Sequence, residues 1–502
     1  MYNVATVGAI SRSNRGASGM QPIEVVLGRW SEGPGPLHRK LADALRRAID
    51  QGRIPGGERL PSERELARRL AVSRSTVVAA YGHLRSEGLL ESRQGSGTRV
   101  RASAAGPQPP VPDLQVSPVY RTLIDVRDDV ISLAAAIFPA HPRVGEAAAR
   151  VMAEDGDKLL AHGGYLPAGL PALREALAER HTRQGVPTSP EQIVVTTGAQ
   201  QAVSLAAQLF VAPGDQVVVE SPSFSGTLDI IRSRGARVVE VPVDDGGVDV
   251  RGVARIVTQE QPVLVYLMPS FHNPTGAMLA ANRRRDLAEL VAETRVPLVE
   301  DNALENAPLD DDWLPPIAAY APPDAPVLSA GSFSKAAWGG LRVGWMRGPV
   351  ELIQRIVELK AMNDLGSPLF DQALAARLVP HLDEMRADHR DMLNRNLELV
   401  SRLLTDLLPD WRWSRPKGGP SLWVELPEGS ASAFTQVALR FGVEVIPGDQ
   451  MSATSAGERK LRLPFSAEPP VLEETLVRLA RAWEAYAPQR RRSPSPSRPV
   501  VV

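Results

Sequence analysis

The sequence predicts an α/β protein with two folded parts, a small helical module and a large body built on a mostly parallel sheet. The chain has 502 residues. Because single domains usually have roughly 100–200 residues, at least two domains are expected. Its apolar fraction of 43% is that of a globular protein. Positive charge is concentrated in one segment, and after it apolar strand-like runs alternate with helical stretches.

The charge distribution separates the two parts. Residues 36–101 carry 14 Lys and Arg against 7 Asp and Glu, a net charge of +7. The whole chain is at −1, so the remainder is at −8. A basic module on an acidic body favours a polyanion such as DNA as partner, although solvated helix faces would have the same composition.

Low-complexity stretches mark the expected boundaries. Residues 1–35 are rich in Gly, Ser and Pro and are expected to form a disordered arm. A Pro-rich stretch within residues 103–120 is expected to be a semi-rigid linker, and residues 487–502 an unfolded tail. These boundaries leave the basic module at residues 36–102 and the body at residues 121–486.

Composition excludes several functions. The chain has no cysteine, which excludes disulfides, thiolate nucleophiles and cysteine-ligated metal sites. Its 8 histidines lack metal-ligand spacing, so no metal is expected. No apolar run approaches the roughly 18 residues of a membrane helix, and the N-terminus lacks the basic residues of a secretory signal. We therefore expect a cytoplasmic protein without a membrane partner.

The basic module has the pattern of a helix-turn-helix. An amphipathic first helix is predicted over Leu37–Gln51, where leucine or isoleucine recurs every fourth residue. Ser62 is a natural N-cap, and Glu65 completes a capping box with it. A tight turn at residues 71–72 leads to Ser73, which caps the next helix. In a helix-turn-helix the second helix enters the major groove of DNA.

The N-terminal end of that second helix carries Arg74, Ser75 and Thr76, where base edges and phosphates are reached. The following LLESRQGSGTRV predicts a two-stranded wing with Gly95 and Gly97 at its tip. Glycine there allows the backbone to approach a phosphate closely.

The string LPSERELARRLAVSRSTVVAAYGHLRSEGLLESRQGSGTRV resembles the winged helix-turn-helix of GntR-type transcriptional regulators. The resemblance implies double-stranded operator DNA as the partner. The implied DNA contacts are Arg64, Arg74, Ser75, Thr76 and Gly97. Many GntR proteins have an arginine where this chain has Val78, so one contact is expected to be missing. A helical bundle that binds no DNA is the structural alternative.

The body alternates helical stretches with the runs QIVVTT, DQVVVE, ARVVEVP, PVLVYLMP, VPLVED, PVLSAG and RVGWM. Ligands of such sheets lie beyond the carboxyl ends of the strands. After the first run, free N–H groups at residues 198–200 can hold a phosphate at a helix start. Lys335, among glycines and apolar residues, can lose its proton and form a Schiff base, although a lone lysine is more often a surface residue. Ser332 and Arg342 flank it as phosphate ligands.

Two further polar residues follow apolar strands. Asp301 ends the run VPLVED, and a half-buried carboxylate there requires a cationic partner such as a pyridinium nitrogen. Asn273, in SFHNPTG, lies in a turn where its amide faces a ligand or caps the turn itself.

In this order and spacing the motifs resemble fold-type I pyridoxal-phosphate enzymes of the aminotransferase class I/II family, from about residue 130 to residue 486. The resemblance implies pyridoxal 5'-phosphate as cofactor and a smaller C-terminal α+β subdomain. It implies a Schiff base at Lys335, Asp301 on the pyridine nitrogen and Asn273 on the phenolic oxygen. The other implied contacts are Phe224 stacked on the ring, Gly198, Ala199, Ser332 and Arg342 on the phosphate, Tyr165 on the phosphate of the neighbouring subunit, and Arg462 on a substrate carboxylate.

A winged helix-turn-helix joined to such a body resembles the MocR/GabR subfamily of GntR regulators. This implies a pyridoxal-phosphate-dependent DNA-binding transcriptional regulator that senses a small amine, an amino acid or the cofactor itself. It also implies a head-to-tail homodimer in which the small module of one chain rests on the body of the other.

Three alternatives remain open. One is a catalytically active aminotransferase that carries a DNA-binding domain, although relatives often have a tyrosine where this chain has Ala303. Another is a serine hydrolase that uses Ser332-x-x-Lys335. The last is a DNA-binding scaffold that has lost the cofactor.

Overall fold

The computed structural model describes residues 23–32, 35–93, 97–101, 129–452 and 457–491, together with residues 120 and 124. Every helix in these ranges is too short or too polar to cross a membrane. Over the same ranges, the His, Asp and Glu side chains form no group of three or more that could hold a metal ion.

The N-terminal domain is a small helical unit with a two-stranded wing. Its elements are α1 (Ile23–Leu27), α2 (Leu37–Asp50), α3 (Glu63–Arg69), α4 (Arg74–Ser86), β1 (Leu90–Arg93) and β2 (Gly97–Val100). The strands pair antiparallel, with Leu90 opposite Val100. The wing tip at residues 94–96, which includes Gly95, lies outside the described residues.

Helices α3 and α4 begin as the sequence predicts. The Ser62 hydroxyl accepts from the Glu65 backbone N–H at 3.2 Å, and the Ser73 hydroxyl accepts from the Thr76 N–H at 3.1 Å. The reciprocal half of the expected capping box differs, because the Glu65 carboxylate accepts from the Arg68 guanidinium at 2.7 Å. Ala71, with φ of 50°, makes the tight turn between the helices.

The folded domain begins earlier than predicted. Residues 23–32, expected to belong to a disordered arm, form α1 and a turn. Ile23, Val26 and Trp30 are buried in the same apolar cluster as α2, α3 and α4. Burial of these side chains supplies the free energy that orders the segment.

The body is built on an eight-stranded sheet in the order β4-β11-β10-β9-β8-β5-β6-β7. Strands β5, β6, β8, β9 and β10 run parallel, whereas β11 is antiparallel to both of its neighbours. The strands are β4 (Ile193–Thr196), β5 (Gln216–Ser221), β6 (Arg237–Asp244), β7 (Gly247–Val248), β8 (Leu264–Leu267), β9 (Leu298–Asp301), β10 (Val327–Ser332) and β11 (Gly344–Arg347).

Helices cover both faces of this sheet, as α/β alternation predicts. One face packs against α8 (Ala199–Phe210), α9 (Ser225–Ser233) and α12 (Val350–Asp364). The other packs against α10 (Val250–Glu260) and α11 (Ala281–Thr294). A further cluster at the β4 side joins α5 (Pro142–Arg150), α7 (Pro171–Arg183) and α13 (Leu369–Leu378), and α6 (Gly156–Ala161) follows a π-helical turn after α5.

The C-terminal subdomain is α+β. A three-stranded sheet orders β12 (Ser421–Glu425), β15 (Lys460–Pro464) and β14 (Ile446–Pro447). It packs against α14 (Leu382–Leu407), α15 (Ala431–Arg440) and α16 (Pro469–Arg491). Helix α16 continues to residue 491, five residues into the predicted unfolded tail. Strand β3 (Ile131–Ser132) pairs parallel with β13 (Val443–Glu444).

The small domain rests on the C-terminal subdomain of its own chain. The Arg29 guanidinium donates to the Glu444 carboxylate at 2.6 Å, and Arg440 donates to the Ala71 carbonyl at 3.0 Å. The family resemblance implied that this domain rests on the body of a partner chain. Arg440 and Glu444 define the surface of the body that carries it here.

Candidate cofactor site and nucleic-acid interface

The sheet brings Asp301 and Ser332 to one edge. Strands β9 and β10 run parallel with Asp301 opposite Ala330, so both strands end at the same side. The turn that follows β10 carries Lys335. Asp301, Ser332 and Lys335 therefore lie at the same edge of the sheet, although residues 302–326 separate the two strands in the chain.

Asp301 is a buried carboxylate with neutral partners. It accepts a hydrogen bond from the Tyr266 hydroxyl at 2.8 Å and from the Ala303 backbone N–H at 3.0 Å. Burial raises its pKa above the ordinary value of an aspartate, against the effect of these donors. A cationic ring nitrogen at this carboxylate would stabilise its charge.

The start of α8 forms an anion cup. Gly198 has φ of 119°, and the first N–H groups of a helix have no acceptor in a preceding turn, although the Gln201 N–H donates to the Gly198 carbonyl at 3.1 Å. A Cβ at Gly344 would lie 2.6 Å from the Gly198 Cα, so the helix start is packed directly on β11. Ala199, the first residue of α8, is buried there.

Three side chains complete the cup. Arg342 donates to the Thr197 carbonyl at 2.5 Å, and its guanidinium also lies 3.5 Å from the Ser334 hydroxyl. The Ser332 and Ser334 hydroxyls are 3.0 Å apart. Backbone N–H groups, two hydroxyls and a guanidinium are the donors that a phosphate requires.

Lys335 faces the same space. Its ammonium donates to the Ala136 carbonyl and lies 5.6 Å from the centre of the Phe138 ring. Burial lowers the pKa of this lysine to about 8, and the positive charges of Arg462 and Arg342 act in the same direction. A lysine with this pKa is a competent nucleophile for an aldehyde.

Arg462, on β15, joins the site from the C-terminal subdomain. It donates to the Ala134 carbonyl and to the Asn273 side-chain oxygen, the latter at 3.3 Å. Its Nε atom is buried without a hydrogen-bond partner among the described residues. Burial lowers its pKa to about 10. An orphaned donor beside Asn273 fits a ligand carboxylate.

Phe224 lies at the start of α9, where its half-buried ring packs against the backbone of Gly226. The Gln200 amide donates to the Gly226 carbonyl at 3.3 Å and to the Tyr120 hydroxyl. Tyr120 ends the predicted linker and was not predicted to be part of the site. For Gln200 the prediction covered only the backbone N–H group, not the side-chain amide.

A buried polar pair behind the site was also missed. The His272 ring is 2.8 Å from the Thr275 hydroxyl on one side and 3.6 Å from the Glu220 carboxylate on the other. Burial lowers the pKa of His272 to about 4 and raises that of Glu220 to about 8. The position of His272 directly before Asn273 was the available signal in the sequence.

Tyr165 does not reach the site within one chain. Its side chain is 72% exposed on the surface. The residues that the structure brings together are Gly198, Ala199, Asn273, Asp301, Ser332, Lys335, Arg342 and Arg462, with Phe224 at the edge of the cup.

The predicted DNA-binding residues of the small domain are exposed or half-buried. Arg64 is exposed, and Arg74 is exposed with its guanidinium 3.2 Å from the Glu63 carboxylate. The Ser75 and Thr76 hydroxyls each lie 2.8 Å from the Ser73 hydroxyl.

Two other positions of the predicted interface are placed by the wing and by α4. A Cβ at Gly97 would lie 3.1 Å from the Arg59 guanidinium, so that glycine permits a close approach. Val78 is 39% exposed on α4, so the position that lacks arginine faces solvent.

Pyridoxal 5'-phosphate fits the residues present. The cup at α8 suits the phosphate, buried Asp301 suits the ring nitrogen, Lys335 suits the aldehyde, and the orphaned Nε of Arg462 suits a carboxylate on a bound amine. Fold and site together define a pyridoxal-phosphate-binding domain of the aminotransferase type joined to a winged helix-turn-helix.

Comparison with known proteins agrees with this class. Residues 128–479 match the family "Aminotransferase class I and II", and residues 37–100 match "Bacterial regulatory proteins, gntR family". The HTH-type transcriptional regulator YisV of Bacillus subtilis, itself uncharacterized, is 30% identical over 82% of this chain and 89% of its own length. The 2-aminoadipate transaminase of Thermus thermophilus is 32% identical over 69% of this chain and 87% of its own length.

A solved structure gives the same fold. The α-aminoadipate aminotransferase LysN of Thermus thermophilus, complexed with N-(5'-phosphopyridoxyl)-L-leucine, has a TM-score of 0.67 at 30% identity. The likeness covers 75% of this chain and 96% of that chain.

The chain belongs to the aminotransferase class I and II family and carries a gntR-type DNA-binding domain. It is a DNA-binding regulator fused to an aminotransferase domain of the pyridoxal-phosphate-dependent fold, as predicted.

Proposed function

We propose that this regulator senses a small amine or amino acid through pyridoxal 5'-phosphate bound in its body. The observation that carries the proposal is the convergence of Lys335, Asp301 and Arg462 on one site in a chain that also carries a winged helix-turn-helix. In a ligand with both groups, the amine would take the place of the Lys335 amine on the cofactor, and the carboxylate would bind Arg462.

The cofactor, when bound, supplies an aldehyde for which Lys335 and the amine of a ligand compete. The cup at α8 and Arg342 would hold the phosphate, and Asp301 would favour a protonated ring nitrogen. Asn273 would orient the phenolic oxygen, and Phe224 would stack on the ring. Arg462 selects ligands that carry a carboxylate.

We further propose a head-to-tail homodimer in the cytoplasm, where a DNA-binding regulator meets its operator. In such a dimer the contacts of Arg29 with Glu444 and of Arg440 with Ala71, which lie within one chain here, would be formed between the two chains. Tyr165 supports the dimer, because a tyrosine that is 72% exposed on its own chain is free to reach the phosphate site of a neighbouring subunit. Met362 and Leu365 are also strongly exposed, at 78% and 57%. A Cβ at Gly366 would lie 2.8 Å from the Leu166 carbonyl oxygen, so the chain neighbours Tyr165 and Leu365 flank a close backbone contact.

Arg64, Arg74, Ser75, Thr76 and Gly97 are the proposed operator contacts. Arg74 pairs with Glu63 in the free protein, so a phosphate or a guanine edge has to replace that carboxylate on binding. We propose that the DNA-binding domain ends near residue 102 and that the cofactor-binding domain ends near residue 486.

A catalytically active aminotransferase is the second candidate. The similarity to a 2-aminoadipate transaminase over 69% of this chain favours it. Ala303 argues against it, because its side chain has no hydroxyl for the phenolic oxygen and only its backbone N–H is used, on Asp301.

One experiment separates the two. Purified protein is loaded with pyridoxal 5'-phosphate, and a panel of amines and amino acids is added while the visible spectrum is followed. A spectral change that persists supports a sensor. Loss of the visible band that a keto acid reverses would instead establish transamination.

A further inference from the structure

A continuous set of contacts joins the cofactor site to the small domain. It runs through residues 131–137, here called the bridging segment. Arg462 donates to the Ala134 carbonyl, and Lys335 donates to the Ala136 carbonyl. The two side chains proposed to engage the ligand therefore both hold the backbone of this segment.

The other end of the bridging segment is fixed to β13. As strand β3, it bonds through Ile131 N–H to the Gly442 carbonyl at 2.9 Å and through Leu133 N–H to the Glu444 carbonyl at 2.8 Å. The Ser132 hydroxyl also donates to the Glu444 carboxylate at 2.6 Å. These bonds fix the bridging segment to Glu444.

Glu444 is at the same time a charged contact of the body with the small domain. Arg29 binds its carboxylate through two bonds, Nε to Oε1 at 3.1 Å and NH2 to Oε2 at 2.6 Å. The two side chains are only 15% and 12% exposed. A bidentate, mostly buried pair has a defined geometry and tolerates little displacement.

A second contact reaches the helix-turn-helix itself. Arg440, four residues before Glu444, donates to the carbonyl of Ala71, which makes the turn between α3 and α4. Residues 440–444 therefore hold the small domain at two points, and one of them is the turn that orients the DNA-reading helix.

We propose that Glu444 couples occupancy of the cofactor site to the position of the small domain, an inference that rests on the proposed sensing function. Covalent capture of an aldehyde by the Lys335 amine forms a C=N bond and releases the carbonyl oxygen as water, and it removes the ammonium that holds Ala136. A ligand carboxylate on Arg462 competes with the Ala134 carbonyl. Either change favours a different position of the bridging segment, and an effector acts through its preference between the two positions.

The test is amide hydrogen exchange on the full-length protein with two probes. Pyridoxal 5'-phosphate alone engages Lys335, and N-(5'-phosphopyridoxyl)-L-alanine adds a carboxylate for Arg462 without forming a bond to the lysine. In the native protein each probe should change exchange in residues 131–137 and, by about fivefold or more, in residues 23–32 of the small domain.

Glu444→Gln should keep the response in residues 131–137 and reduce the response in residues 23–32 to less than about twofold. Glu87→Gln is the matched control, because Arg46 binds Glu87 with the same bidentate geometry, at 3.0 and 2.6 Å, entirely within the small domain. It should respond like the native protein. Arg29→Gln breaks the same contact from the small-domain side and should match Glu444→Gln, which covers the case that the Glu444 variant is poorly folded.

An undiminished response of residues 23–32 in Arg29→Gln or Glu444→Gln would overturn the inference. So would a native protein that binds both probes and responds only in residues 131–137. The proposed sensing function would survive either result, since it fails only when no amine alters DNA affinity, a separate measurement.

Discussion

At Lys335, burial and two neighbouring guanidinium groups lower the pKa to about 8. The amine of an ordinary lysine, at pKa 10.5, is almost fully protonated at neutral pH. The positive charges of Arg342 and Arg462, which are proposed to bind the phosphate and the carboxylate, therefore also lower the pKa of the lysine.

The pH dependence of cofactor capture follows from this pKa. Only the neutral amine attacks an aldehyde, so the rate of capture should rise with pH and level off above about 8, the folded-state pKa. Stopped-flow absorbance with pyridoxal 5'-phosphate across a pH range of about 6 to 11 measures the midpoint. A midpoint near 10.5 would show that the site leaves the lysine unperturbed.

Lys335→Ala should abolish the visible absorbance band of lysine-bound cofactor while the circular dichroism and melting temperature stay close to native. The reason is that Lys335 is the amine that the turn after β10 holds at the cup. Lys417→Ala, which removes an exposed lysine 4.0 Å from Asp312, is the control and should keep the band. A band that survives in Lys335→Ala would place the nucleophile elsewhere.

Arg74→Ala should weaken operator binding by about 1–3 kcal/mol if its guanidinium reads a base edge. Arg255→Ala removes an exposed arginine from α10 of the body and should leave binding within experimental error. The assay is a gel shift or anisotropy titration at physiological salt, with an operator selected from random DNA. Equal binding by native and Arg74→Ala proteins would mean that α4 is not the reading helix.

Which residues could be predicted depends on where their partners lie. Asp301 and Lys335 follow parallel strands, and such strands end at one edge, so local patterns place them together. The contact between Arg462 and Asn273 spans 189 positions and two subdomains, and only the family resemblance indicated it. The carbonyls of Ala134 and Ala136 leave no mark in a sequence, because any residue offers a carbonyl.

At the scale of elements, the junction of α8 with β11 fixes the phosphate cup. The start of the helix touches the strand at Gly344, where a Cβ would lie 2.6 Å from Gly198 backbone. A backbone atom at Gly198 cannot move away from an added Cβ as easily as the end of a flexible side chain can. The cup is therefore as rigid as the sheet beneath it.

Gly344→Ala should displace the start of α8, weaken affinity for pyridoxal 5'-phosphate and destabilise the fold by about 1–3 kcal/mol. Gly339→Ala, in the turn before β11, is the matched control, because a Cβ there meets nothing within 4 Å. Cofactor titration and chemical denaturation measure the two effects. Native affinity in Gly344→Ala would contradict the packed geometry of the cup.

Elements with strong periodicity were predictable, whereas short ones were not. Helix α2 was expected over Leu37–Gln51 and is observed over Leu37–Asp50. Helix α1 has only five residues, too few to show a helical period. The Gly-rich and Ser-rich composition around it therefore led to the prediction of a disordered arm. Its burial against α2 is a tertiary effect that local patterns do not contain.

At the scale of the whole molecule, the basic module and the acidic body share a surface built by Arg29, Glu444, Arg440 and Ala71. The same strand pair, β3 and β13, leads from this surface to the cofactor site. Allostery requires a shared element with two positions, and this strand pair is the element that we propose.

The most direct test of this sensing function records the visible spectrum and the DNA affinity in the same titration. Full-length protein with bound pyridoxal 5'-phosphate is mixed with its selected operator, and a panel of amines and amino acids is added. We predict that at least one carboxylate-bearing amine changes both signals together, with a change in DNA affinity on the order of 5- to 150-fold. The opposite result has two parts: amines remove the visible band and a keto acid restores it, and DNA affinity stays unchanged throughout. That result would contradict sensing and identify the protein as an aminotransferase.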